Sequence, residues 1–154
     1  MDRKGLVIAL GAWAPALAVA ALAAGTAPAG WRVVKDHKGN CQMQVPADWK
    51  GDTSAASPED HSGRASIHLL PAKDWADSKS MAQHVMAPTT VLEDSPERLW
   101  FAYGNSVGKT DWYVSVPGPL GPCTGQITFK SDALAEVAKQ IAASVAVSPN
   151  PPVK

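Results

Sequence analysis

Cys41-Gln42-Met43-Gln44-Val45-Pro46-Ala47-Asp48-Trp49 is the stretch from which the rest of the chain can be read. Cys41, Met43 and Val45 alternate with Gln42 and Gln44, the period of two expected of a half-buried strand. Pro46 has no amide proton to give to a sheet ladder, so it ends the strand. Trp49 then folds back as a lid on the core. Upstream, Trp31-Arg32-Val33-Val34-Lys35-Asp36 also reads as a strand, and His37-Lys38-Gly39-Asn40 supplies turn residues between the two. The pair is a hairpin.

Downstream, residues 50–64 are polar and rich in Gly, Ser and Pro, and are expected to form an exposed, mobile loop. Ala65 to Leu70 is a strand with Ile67 and Leu69 on one face. Asp77 or Ser78 is the expected cap of a short helix whose apolar residues are Met81, Ala82 and Val85, bounded by Pro88. Thr89–Glu93, Arg98–Tyr103 and Thr110–Val116 read as further strands. The middle one is apolar on both faces, as a strand covered on both sides should be. Pro117 to Pro122 bridges to a last strand in which Cys123, Gly125, Ile127 and Phe129 alternate with polar residues. Leu134, Val137, Ala138, Ile141, Ala142 and Val145 form one continuous stripe of a C-terminal helix, with Ser131 or Asp132 at its start. The expected class is α+β, an antiparallel sheet of about six or seven strands flanked by a short helix and an amphipathic C-terminal helix.

The N-terminus asks for separate treatment. Arg3 and Lys4 precede an uncharged run from Leu6 to Ala24, and small residues follow to Ala29. That order is expected of a secretory signal peptide over residues 1–29, with cleavage after Ala23 or Ala29. The competing reading is an uncleaved membrane anchor, against which stands the weak hydrophobicity of an alanine-rich run. One domain is expected over residues 30–148, with a disordered tail at 149–154. Without residues 1–29, twelve Lys/Arg face thirteen Asp/Glu and no basic run remains, so no nucleic-acid partner is expected. A periplasmic or secreted location follows, with a protein or envelope partner and no membrane span after cleavage.

Export bears on the two cysteines. Cys41 and Cys123 are the only pair in the chain, and an oxidising compartment favours joining them. The bridge would close a loop of 83 residues. A redox pair lacks the usual close spacing, and a metal role has only His37, four residues before Cys41, to support it. Both cysteines begin strands, so a bridge puts the starts of those strands at one end. The strands then run in the same direction, or the cysteines lie outside regular pairing.

The element order resembles the PsbP-like α/β/α sandwich, the fold of photosystem II extrinsic subunits and of a nuclear Ran-binding protein. The residues that carry the likeness are "CQMQVPADW" (41–49) and the closing "ITFKSDALAEVAKQIAASV" (127–145). The same pattern occurs in exported bacterial proteins of unknown function. The resemblance implies a non-enzymatic module that docks on a partner. It transfers no catalytic residue.

Chemistry-bearing residues are few. His37, His61, His68 and His84 stand in a turn, a loop, a strand and a helix, with no metal-ligand spacing. The best cluster that can be assembled is Asp60, His61 and His68, with Asp36 and His37 if the loop folds over. No catalytic residue, metal or cofactor is expected. The alternatives to a docking module are a small periplasmic hydrolase using His61 or His68 with a carboxylate, and a glycan-binding module stacking sugars on exposed tryptophans. Five tryptophans lie beyond residue 29, against two Phe and two Tyr in the chain. Trp100 and Trp112 fit a core, whereas Trp49, Trp75 and His68 are the candidate partner-binding residues.

Overall fold

The computed structural model describes residues 27–58, 61–72, 74–104 and 110–149. The leader expected at 1–29 therefore lies outside the described residues as far as residue 26, and so does the tail from residue 150. Among the described residues no helix is long and apolar enough to cross a membrane.

The expected hairpin is β1 (Trp31–Lys35) paired antiparallel with β2 (Cys41–Pro46). Its turn is held by the Asp36 carboxylate, which accepts from the amides of Lys38 at 3.2 Å and Cys41 at 2.6 Å. Gln42 and Gln44 are buried, contrary to the solvent face that alternation predicts. A strand that periodicity does not predict lies beside β2. β9 (Ala146–Val147) pairs with the free edge of β2 and makes it the centre of a three-stranded sheet. The amide of Gln44 also donates to the Ser144 hydroxyl at 2.8 Å, tying β2 to the C-terminal helix.

The larger sheet has six strands in the order β3-β4-β8-β7-β6-β5, all antiparallel. They are β3 (Ser54–Ala56), β4 (Gly63–Leu69), β5 (Pro88–Asp94), β6 (Leu99–Tyr103), β7 (Thr110–Val116) and β8 (Cys123–Phe129). The expected 50–64 loop is thus corrected. Its middle is an edge strand whose Ala55 is fully buried, and its last two residues begin β4. Small alanines give little periodic signal, and pairing with β4 decides the conformation.

The register sorts side chains onto two faces. Ala65, Ile67, Trp112, Val114, Ile127 and Phe129 point to the face covered by the three-stranded sheet and α2 (Ala135–Ser144). In α2 the predicted stripe is borne out: Ala138, Ile141 and Ala142 are buried, after a 3-10 turn over Asp132–Leu134 capped by Ser131. Arg98 donates to the carbonyls of Ala142 and Ala143 at 3.5 and 3.1 Å, satisfying acceptors that a helix end leaves open. Leu99, Phe101 and Tyr113 point to the opposite face, covered by α1 (Trp75–Met86).

Helix α1 departs from expectation at its start and on its surface. It begins at Trp75, because the Asp74 carboxylate accepts from the Asp77 amide at 2.7 Å and caps it. Trp75, Ala82 and Met86 stand at i, i+7 and i+11 and face the sheet. Met81 and Val85 are 61% and 69% exposed. The helix has two apolar stripes, and only one is buried.

The bridge between Cys41 and Cys123 is formed, with Cα atoms 5.4 Å apart. It joins the first residues of β2 and β8, which belong to different sheets. The geometric puzzle of two strand starts at one end resolves in this way: the bridged strands are not paired with each other.

Candidate docking surface

Three depressions adjoin at the end of the large sheet where β4 and β7 finish and β8 begins. The β4–α1 connection and the Pro117–Pro122 loop build all three. Gly121 permits their close approach: its φ is +128°, and a side chain there would strike the Leu70 carbonyl. The Leu70 amide donates to the Pro122 carbonyl at 3.0 Å, fixing one segment to the other.

The first depression is a groove beside α1 lined by Leu70, Pro71, Met81, Val85, Tyr113 and Gln126. Its volume is about 180 Å³ and its lining mostly apolar. The second, about 340 Å³, lies between Trp75 and the Pro117–Pro122 loop. The third, about 350 Å³, is lined by Asp36, His37, Lys38, His68, Leu69, Pro71 and Leu120. Pro71 belongs to the first and third, Ala72 to the first and second, Leu120 to the second and third. Leu70, Met81, Val85 and Leu120, four of the six large apolar side chains exposed among the described residues, therefore share one contiguous surface. The other two, Val91 and Leu92, lie on the edge strand β5.

Each residue singled out in the sequence has a definite place. Trp49 is 4% exposed with its indole over Gly63, so it is a lid and is corrected as a contact residue. Arg32 holds that corner by donating to the Trp49 carbonyl at 2.8 and 3.1 Å. Trp75 is half-buried against Phe101 and Tyr113, with the Lys79 ammonium 5.8 Å from its ring centroid. Its indole N–H is buried without a partner. Trp31 and Trp100 are half-buried and Trp112 is buried. Of the half-buried three, Trp75 lines the second depression. His68 is exposed and shares its cleft with His37, a juxtaposition of residues 31 apart in sequence. Pairing of β4 with β8 places His68 opposite Thr124, at the same sheet end as the hairpin turn.

His61 is exposed with φ of +51°. Asp60 lies outside the described residues. Among those described, no three His, Cys, Asp or Glu side chains converge, and no hydrogen bond joins a histidine to a carboxylate. Two groups titrate away from their ordinary values. The hydrogen bond from Lys79 holds the Asp94 carboxyl below the usual aspartate range, with Gln83 adding to the effect. Burial, then the neighbouring Asp111, raises the Tyr103 phenol. Neither group lines the three depressions.

The surface that sequence reasoning missed is formed by Leu70, Met81, Val85 and Leu120. The signal for it was the second apolar pair on α1, at i and i+4.

Fold and surface together define a disulfide-closed α/β/α sandwich with a partly apolar sheet end and no converging catalytic set among the described residues. Among solved structures, the chain is similar to the solution structure of cyanobacterial PsbP (CyanoP) from Synechocystis sp. PCC 6803. The two are 13% identical, with a TM-score of 0.49 over 80% of this chain and 95% of that one. A likeness of that degree says nothing of activity, partner or compartment. No family model and no curated protein sequence matches the chain.

Proposed function

We propose that the protein is an exported, disulfide-stabilised, non-catalytic module of the cell envelope that holds a partner on the sheet-end surface. One observation carries the reading: Leu70, Met81, Val85 and Leu120 are exposed together on one contiguous face. Exposed apolar side chains gathered on one face are a mark of docking, whereas scattered ones are ordinary. A hydrolase would need a nucleophile or base aligned with its partners. The Asp36 carboxylate, nearest in placement to His37 and His68, is instead turned to backbone amides. The leader-like N-terminus and the Cys41–Cys123 bridge support an oxidising compartment.

The test is site-specific photo-crosslinking in intact cells, with the probe at Val85 and a control probe at Lys139 on the opposite side of the sheet. The reading expects a discrete adduct from Val85 alone, abolished by Met81→Asp with Leu120→Asp while the melting temperature is kept. Equal labelling from both positions would sink it. So would ester or peptide hydrolysis by the purified protein that disappears in His68→Ala.

A further inference from the structure

We propose that the cleft between the β1–β2 turn and the end of β4 receives a carboxylate-bearing segment of the partner protein. Apolar residues of the same segment would lie in the neighbouring α1 groove. The inference rests on the docking reading above and names the chemistry of what docks.

Charge complementarity selects the occupant. The charged and titratable groups lining the cleft are Asp36, His37, Lys38 and His68. Asp36 is 8% exposed and its two oxygens accept from the amides of Cys41 and Lys38, so its charge is turned into the hairpin. His37, Lys38 and His68 are exposed. From β8, the strand beside His68, the facing residue is the uncharged Thr124. From the loop, Leu120 contributes an apolar wall, as do Leu69 and Pro71. Asp74, in the adjoining second depression, accepts from the Asp77 amide. The exposed rim therefore presents one ammonium and two imidazoles over apolar walls, and a carboxylate flanked by apolar side chains matches it. Continuity through Pro71 leads such a segment from the cleft into the groove of Leu70, Met81 and Val85.

Imidazole is the side chain that gains charge between about pH 8 and 5. The rim carries two such side chains, His37 and His68, beside the Lys38 ammonium. Each exposed charge pair is worth about two- to fivefold in affinity.

The experiment titrates the oxidised chain into two fluorescein-labelled peptides, one with a Leu-Leu-Gly-Asp-Glu core and one with Leu-Leu-Gly-Asn-Gln. The acidic peptide should bind roughly tenfold tighter at pH 6 than at pH 8, for two imidazoles acting together. The amide peptide should show no such dependence. His37→Gln with His68→Gln should flatten the profile without abolishing binding, and Lys38→Met should weaken the acidic peptide at both pH values. Equal affinity of the two peptides at pH 6, or a pH profile that survives in the double histidine variant, would overturn the proposal. If both peptides bind equally and Val85→Asp weakens both, docking stands and the carboxylate falls. If neither peptide binds and Val85 also fails to crosslink in cells, both readings fall. Sedimentation with phosphatidylglycerol vesicles, lost in the same histidine variant, would overturn it in favour of a lipid surface. Self-association lost in Leu120→Asp would overturn it in favour of a second copy.

Discussion

The indole of Trp49 lies across Gly63, and a methyl group placed on Gly63 would meet the ring at 2.6 Å and Leu134 at 3.2 Å. The corner after Pro46 closes because β4 presents no side chain at that point. Arg32 holds the backbone of the same corner, donating also to the Gly51 carbonyl at 2.5 Å. Gly63→Ala is therefore expected to destabilise the protein by about 1–3 kcal/mol, the usual cost of overpacking. Urea unfolding followed by tryptophan fluorescence would measure it. An unchanged midpoint would mean that the indole can move aside. Trp49 itself was legible as a lid from its spacing after Pro46. Its partner Gly63 was not, because the pairing joins residues that touch only once β4 is in its sheet.

At the scale of elements, α1 shows how two stripes on one helix acquire different roles. Near-neighbour spacing predicts Met81, Ala82 and Val85 as the apolar set. The sheet instead selects Trp75, Ala82 and Met86, because Phe101 and Tyr113 offer aromatic area to that side. The ion pair of Lys79 with Asp94 fastens α1 to β5, and Gln83 donates to the same carboxylate at 3.2 Å. Because the folded-state pKa of Asp94 is lowered, its contribution is present above the usual aspartate value and is lost as pH falls through the lower one. Lys79→Met should remove that portion of the acid sensitivity. The effect is small, since the Asp94 side chain is 42% exposed and screened by water. Melting curves of the two proteins should differ near pH 5 and converge toward pH 2. A constant offset across that range would contradict the assignment.

At the scale of the whole molecule, the Cys41–Cys123 bridge spans 82 positions and joins the two sheets where β2 and β8 begin. Constraint of the unfolded chain over that length is worth about 4–5 kcal/mol in the chain-entropy model. Cys41→Ser with Cys123→Ser should lower stability by an amount of that order, read as a shift of the urea midpoint. A shift of only a few tenths of a kcal/mol would mean that the packing of α2 and the three-stranded sheet suffices alone. The bridge also stands beside the proposed docking surface, since Cys41 follows the turn that carries His37 and Cys123 follows the Leu120 loop. Reduction is accordingly expected to loosen both walls of the cleft.

Local and covalent features of this protein could be taken from its sequence alone. Strand alternation around Met43 and Ile127, the stripe of the C-terminal helix and the pairing of two lone cysteines depend on near neighbours or on chemistry. Periodicity and oxidation state carry those signals without a partner element. The allocation of strands to two sheets, the burial of Gln42 and Gln44, the pairing of Ala55, and the exposure of Met81 and Val85 came only with tertiary structure. Each depends on which surface happens to face a residue from far along the chain. Burial is a property of that meeting and not of the residue. The candidate surface belongs to the second kind: His37, His68, Leu70 and Leu120 have no common pattern in sequence, and packing of the hairpin turn, β4 and the Pro117–Pro122 loop brings them together.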